Sequence, residues 1–440
     1  MDAPAERRAD LSLFWILVLL ALLAIVTYLP TLRQPFISDD YPNILLSRSY
    51  GGFSGWGAML ADPVSRVRAT SWVLTYWIDR VFGLTPAAFY AASILLHVLN
   101  TWLVYALGAW RAIGWRVAAL AAGFFAVSEG HQEAVMWYSA VNELLLFLFG
   151  VLCVLAWIKF IQDPKIQWGW LAGSFACFLC ALASKESAVI IVPLLALAWL
   201  SKSETRWRIL GVTPFLAAGM IYAWAIYETR AYSFRFRDGS FSLHAPVWIT
   251  LPSTFWRLFW PWGIISLVGI VIWRAHEWRR LIAFGAAWAG ISLLPYSFLT
   301  YMTTAPSRQT YLASVGAAWI VGAGLVAFWD RFSTSHRRWV YALAALIIIH
   351  NCVYLWTKKR QQFLVRGAST EALIHEARNV SGPIYIPCPP STGWGGCQCF
   401  PYAPIVAAAA LELETRKPVS DLIWSNPPSG AREFCWAPPK

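Results

Sequence analysis

Apolar residues run along this chain in blocks of roughly twenty, separated by short polar or basic intervals, which is the spacing a hydrocarbon bilayer demands. The blocks predict about eleven membrane spans. They are Leu11–Pro30, Ala87–Trp110, Val117–Val127, Glu143–Ile161, Trp168–Ala183, Ser187–Leu200, Ile209–Tyr227, Ile249–Trp273, Leu281–Leu299, Tyr311–Trp329 and Trp339–Trp356. Around Pro252 and Pro261 the pattern also fits an interfacial helix followed by a span. The first block is too long, and lacks a small-residue cleavage site, to read as a removed signal peptide.

Basic residues give the blocks a direction. With the N-terminus inside, Arg7/Arg8, Arg111/Arg116, Lys159/Lys165, Lys202/Arg206/Arg208, Arg274/Arg279/Arg280 and Arg331/Arg337/Arg338 all fall on the cytoplasmic side, so every second loop is basic. Composition excludes a soluble or disordered chain: 58% of the 440 residues are hydrophobic and only 13% charged. The net charge of +12 then reports cytoplasmic loops and lipid headgroups as partners, not nucleic acid. The 28 tryptophans fit the membrane interface without invoking a ligand.

An odd number of spans places the tail, residues 357–440, outside. Its four cysteines (Cys388, Cys397, Cys399 and Cys435) suit an oxidising compartment, whereas the other four lie in apolar spans. Cys397-Gln-Cys399 lacks the usual two-residue gap of a zinc knuckle, which favours disulfides, in any of three pairings. The expected architecture is an α-helical integral membrane bundle over 1–356 and a small extramembrane α/β domain over 357–440, with a helix to Arg378, a strand Gly382–Pro387 and a helix near Ala403–Glu414. Asn379-Val-Ser381 matches a glycosylation sequon, a motif short enough to arise by chance.

The polar residues with chemical potential gather on the outer side. The loop Thr31–Pro86 opens with Ser38-Asp39-Asp40-Tyr41-Pro42. Adjacent carboxylates at a span's mouth raise one another's pKa unless compensated, which suits a general base or a metal ligand; the same residues also make good turn chemistry. Arg66 and Arg68 precede an aromatic stretch, and either grip a lipid phosphate or snorkel to headgroups from an interfacial helix. In Ser128–Trp137, Glu129, His131 and Glu133 sit beside the membrane, where His131 and Glu133 fit a sugar or proton relay and Glu129/Glu133 also fit a wetted helix face. Lys185 and Glu186 occupy a tight outer turn, and Arg308 stands just before the tenth span, so Lys185 and Arg308 join Arg68 as phosphate candidates. The loop Thr229–Ala245, with Arg235, Arg237 and Asp238, is less specific, and His97 inside a span reads as a packing hydrogen bond. Mid-span positions are nearly devoid of charge, which argues for chemistry at the outer interface and against an ion transporter with broken helices.

The order of these features (acidic pair, loop arginine, Leu-Leu-His, Glu-Ala-Val-x-Trp, Ser-Lys-Glu, Arg-x-x-Tyr-Leu) resembles the multi-spanning glycosyltransferases of the GT-C fold. It is most similar to the protein O-mannosyltransferase and transmembrane tetratricopeptide O-mannosyltransferase group with its bacterial relatives, over roughly residues 10 to 320. The resemblance implies a GT-C-like bundle that transfers mannose or another hexose from a polyprenyl-phosphate donor, with inversion, to a protein, lipid or polysaccharide acceptor. It implies an acidic base, carried onto Asp39 with Asp40 placing the acceptor; Arg68, Lys185 and Arg308 on the donor phosphate; and His131, Glu133 and Glu186 near sugar or acceptor. No cofactor is required on this reading, although some fold relatives use a divalent metal. The chain departs from the pattern at Ser128-Glu129, where the family often has His-Pro, at Val141 in place of an arginine, and in lacking the tetratricopeptide repeats. The expected location is a bacterial inner membrane, with the site and tail in the periplasm. Two other classes compete: a lipid or polysaccharide transporter without covalent chemistry, and a scaffold whose tail binds a partner.

Overall fold

The computed structural model describes residues 3–163, 165–200, 206–232, 239, 241–272, 278–300, 302–387, 404–415 and 417–435. Each apolar block forms a helix. Among the described residues six helical stretches are long and apolar enough to cross a membrane, including Ser12–Arg33, Pro86–Ala109 and Tyr138–Gln162. Val247–Phe259 and Trp262–Ile272 meet at a 79° bend beside Pro261, a broken span at the point where two prolines interrupt the apolar pattern. Trp115–Val127, Trp168–Leu182 and Glu186–Leu200 are shorter apolar helices.

The helix Ser314–Arg331 lies at the centre, buried along nearly its whole length. Small residues admit its neighbours. A Cβ on Gly285 would lie 2.8 Å from the Gly316 carbonyl, and one on Gly322 would lie 2.7 Å from the Val117 carbonyl. The backbones therefore pack directly, as lipid-embedded helices do when no hydrophobic driving force acts between them. Trp319 adds two edge-to-face contacts, to Trp288 at 5.1 Å and Trp110 at 5.7 Å between ring centroids. The outer surface has the opposite character: Ile221, Trp224, Val271 and Ile272 are all exposed. Contiguous exposure of this kind belongs in lipid, and the chain is an integral membrane protein.

The first outer loop folds into three helices, Asp40–Tyr50, Trp56–Ala61 and Ala69–Phe82. Gly83, at φ 62°, ends the last of them in a conformation that favours glycine. The tail begins as a continuation of the last apolar helix: Arg337–Tyr354 passes through Leu355–Lys359 into Arg360–Asn379. Beyond it, Ile384–Tyr385, Leu422–Ile423 and Arg432–Glu433 form a small parallel sheet with the Ile384–Tyr385 strand in the middle. Pro404–Thr415 packs against both Arg360–Asn379 and Asp40–Tyr50, so the α/β tail sits on the first outer loop. Cys435 is disulfide-bonded. Cys388, Cys397 and Cys399, like Arg235, Arg237 and Asp238, lie outside the described residues.

Candidate active site

The site begins at a strained turn. After the first span, Ser38 takes a left-handed backbone at φ 50°, a conformation that costs a non-glycine residue about 1–3 kcal/mol. The Asp40 side chain holds this turn closed. It is fully buried; one carboxylate oxygen accepts from the Ile37 N–H at 2.8 Å, and the other accepts from the Ser139 N–H at 2.7 Å and Oγ at 2.6 Å. Trp137 braces the same turn by donating its indole N–H to the Ile37 carbonyl at 3.1 Å. Burial pushes the Asp40 carboxyl up to about 7, against the pull of its three hydrogen bonds.

Asp39, clamped in place next to it, is exposed and faces a cavity of about 160 Å³. Arg68, Lys185 and Arg308 line the same cavity, together with Asn43, Trp137, Ser139 and Asn142. One carboxylate and three cations, drawn from three outer loops, thus converge on one small space. Ile405 from the tail helix closes part of its wall.

Each cation is held by a carboxylate. Lys185 and Glu143 form an ion pair in which both side chains are buried. Tyr296 donates to the other Glu143 oxygen at 3.2 Å, and its hydroxyl lies 2.8 Å from that of Ser187. Arg68 meets Glu186 at 3.4 Å. Arg308 meets Glu133 at 3.2 Å and lies over the Trp137 ring at 4.8 Å. Glu133 also takes Arg366 from the tail's first helix at 3.1 Å. Burial alone would raise the Glu133 carboxyl, but the Arg308 and Arg366 guanidiniums outweigh it and hold the group below its usual range.

Arg308 forms the wall that this cavity shares with a second one of about 300 Å³, and its partner Glu133 lines the second. The larger cavity is lined by Glu129, Glu133, Arg257, Arg308, Lys359 and Arg366, with Trp260, Trp262, Phe124 and Tyr354 supplying aromatic surface.

Other expected residues lie elsewhere. His131 is fully buried, with Nδ1 2.9 Å from the Ser314 hydroxyl and its ring against Phe125 and Tyr311, each at 4.7 Å between centroids. It lines neither cavity, and burial lowers its pKa. Glu186 serves Arg68 rather than lining either cavity. His97 makes the packing bonds expected of it, 2.7 Å from the Tyr311 hydroxyl and 3.1 Å from the Ala126 carbonyl. Among the described residues no group of three or more His, Cys, Asp or Glu side chains is placed to hold a metal ion. The sequence reading passed over Ser139, Asn142, Arg257, Lys359 and Arg366. The spacing Lys359-x-x-Gln362-Phe363-x-x-Arg366, one face of a helix, was the available signal for the last two.

No protein-family model matches the chain. It is 31% identical over 182 residues to protein O-mannosyl-transferase Tmtc1 of Drosophila melanogaster and 30% identical over 196 residues to Tmtc2 of the same organism. These matches cover 38% and 40% of this chain but only 20% of each relative. Among solved structures, apo ArnT from Cupriavidus metallidurans matches 93% of this chain and 85% of its own, with a TM-score of 0.53 at 16% identity. The apo oligosaccharyltransferase of Archaeoglobus fulgidus matches 92% of this chain and 64% of its own, with a TM-score of 0.53 at 12% identity. ArnT bound to undecaprenyl phosphate gives a TM-score of 0.50 at 15% identity over 92% of this chain. Likeness at this level of identity concerns the backbone architecture, and it gives the chain the GT-C fold that its loop motifs anticipate.

Proposed function

We propose that the chain is an inverting glycosyltransferase that moves a hexose, mannose in the first instance, from a polyprenyl-phosphate donor to an acceptor hydroxyl at the outer face of a bacterial inner membrane. The observation that carries this reading is the small cavity where Asp39 faces Arg68, Lys185 and Arg308. The names of the relatives point the same way: two O-mannosyl-transferases, and a fold neighbour crystallised with undecaprenyl phosphate.

In the proposed step the Asp39 carboxylate accepts the proton of the acceptor hydroxyl. The hydroxyl oxygen attacks the anomeric carbon from the face opposite the phosphate, and the bond from that carbon to the phosphate oxygen breaks. The phosphate leaves with the electron pair, and Arg68, Lys185 and Arg308 stabilise the charge that develops on it. A positioned base of this kind contributes about 10²–10⁴-fold. Asp40 acts as a positioning residue: it closes the turn that aims Asp39, and its own oxygens are taken up by Ile37 and Ser139.

The test is release of polyprenyl phosphate from a panel of polyprenyl-phosphate sugars, using the full chain in nanodiscs with and without a cell-envelope extract as acceptor source. Wild-type protein should consume at least one donor when the extract is present, and Asp39→Asn should not. Folded wild-type protein that consumes none of the panel would overturn the reading.

A further inference from the structure

The larger cavity is not needed for the step just described, yet it carries an excess of positive charge. Among the described residues four cations line it (Arg257, Arg308, Lys359 and Arg366) against two carboxylates, Glu129 and Glu133. Glu133 is shared between the Arg308 and Arg366 guanidiniums. Arg257 and Lys359 form no ion pair among the described residues. The Arg257 guanidinium donates to the Ala305 carbonyl, and the Lys359 ammonium donates to Gln362 Oε1 at 3.1 Å. Burial raises the Glu129 carboxyl and the nearby charges of His350, Lys359 and Lys358 oppose that rise; with both carboxylates counted against the four cations, the lining still carries two cations in excess. An excess of two cations around one partly enclosed space costs desolvation unless an anion fills it. A volume of about 300 Å³ lies at the lower end of small-molecule sites, and the aromatic wall suits a ligand with an apolar part.

We infer that the larger cavity is a second anion site, which binds a phosphate group through Arg257, Lys359 and Arg366. A planar guanidinium fork and a compact ammonium are the pair of donors that tetrahedral phosphate oxygens satisfy best. On the glycosyltransferase reading, on which this assignment of the ligand rests, the phosphate belongs to the acceptor, and Arg308 stands between it and the donor phosphate. Arg366 comes from the tail's first helix, so the tail takes part in choosing the acceptor.

The experiment is isothermal titration of the full chain in phosphatidylcholine nanodiscs with dihexanoylphosphatidic acid and with inorganic phosphate. Saturable binding is expected, weakened about tenfold by either Arg257→Gln or Lys359→Gln, the loss of one charge-assisted hydrogen bond. Arg257→Lys should retain most of it, and the titrations are repeated in Arg68→Gln, which weakens the phosphate site of the smaller cavity, so that the binding that remains reports the larger one. Lys359 is only half-buried, so its variant folds even if Arg257→Gln does not. Tighter binding of the phosphatidic acid would assign a lipid-borne phosphate, and equal binding a phosphate on a water-soluble acceptor; both support the site. No saturable binding, binding indifferent to both variants, or binding lost in Arg68→Gln instead would overturn it. Donor release by the same preparations tests the transferase reading separately: phosphate binding without donor turnover would overturn that reading and leave the second anion site in place.

Discussion

The two cavities share Arg308 but differ in how their charges are settled. In the smaller one Arg68, Lys185 and Arg308 each meet a carboxylate that is not part of the lining, and the exposed Asp39 lines the space they face. In the larger one the cations outnumber the carboxylates. A site whose cations are each held by a carboxylate and face an exposed acid suits chemistry, because those cations are already oriented. An unbalanced site suits binding, because its own electrostatics improve only when a ligand arrives.

The sharpest way to break this comparison is Asp39→Asn. It should lower the rate of donor cleavage by about 10²–10⁴-fold, read as polyprenyl phosphate released per enzyme, while the thermal unfolding midpoint stays put because Asp39 is exposed. Lys185→Met tests the balance itself. It leaves Glu143 buried without its cation and should destabilise the fold by about 3–5 kcal/mol, seen as a lower unfolding midpoint that the double variant with Glu143→Gln partly restores.

Asp40→Asn should cost about 1–3 kcal/mol, since an amide cannot accept from all three donors that now meet the carboxylate. It also has a signature in pH. The folded-state pKa of about 7 lies above the ordinary 3.8, so the folded protein binds the extra proton between those values. Wild-type stability should therefore fall as pH rises from about 4 to about 7 and then level off, and Asp40→Asn should flatten that slope. Thermal scans at pH 4.5 and 7.5 measure the difference. The smallest effect is expected from Arg257→Gln, which should raise the KM for acceptor about tenfold with little change in kcat.

The bundle was legible because apolar blocks of span length have few alternatives, and each block is a helix. The members of the smaller cavity were legible from their side of the membrane: Asp39, Arg68, Lys185 and Arg308 come from three outer loops, and all reach one space. Which of the two aspartates faces that space was not legible. It depends on Ser139, 99 residues further along, rising to take both of its hydrogen bonds to Asp40. The Lys185 partner was hidden for the same reason, since Glu143 sits 42 residues earlier at the head of an apolar helix. His131 looked chemical because imidazole beside a membrane is costly, yet Phe125, Tyr311 and Ser314 surround it in the core. Arg257 lies within the predicted span Ile249–Trp273 and Lys359 and Arg366 lie beyond the span that ends at Trp356, so the sequence does not place Arg257 beside the other two. Only the bend at Pro261 and the unbroken helix through Lys359 bring them together.

The most direct test of the account compares donor binding with donor cleavage in one variant. Wild type and Asp39→Asn in nanodiscs would be given a saturating polyprenyl-phosphate hexose that wild type consumes, with the envelope extract, and followed through a single turnover. The account predicts that Asp39→Asn binds the donor with wild-type affinity and releases polyprenyl phosphate at least about a hundredfold more slowly. Cleavage within about threefold of wild type would contradict it, because a general base cannot be removed at so small a cost.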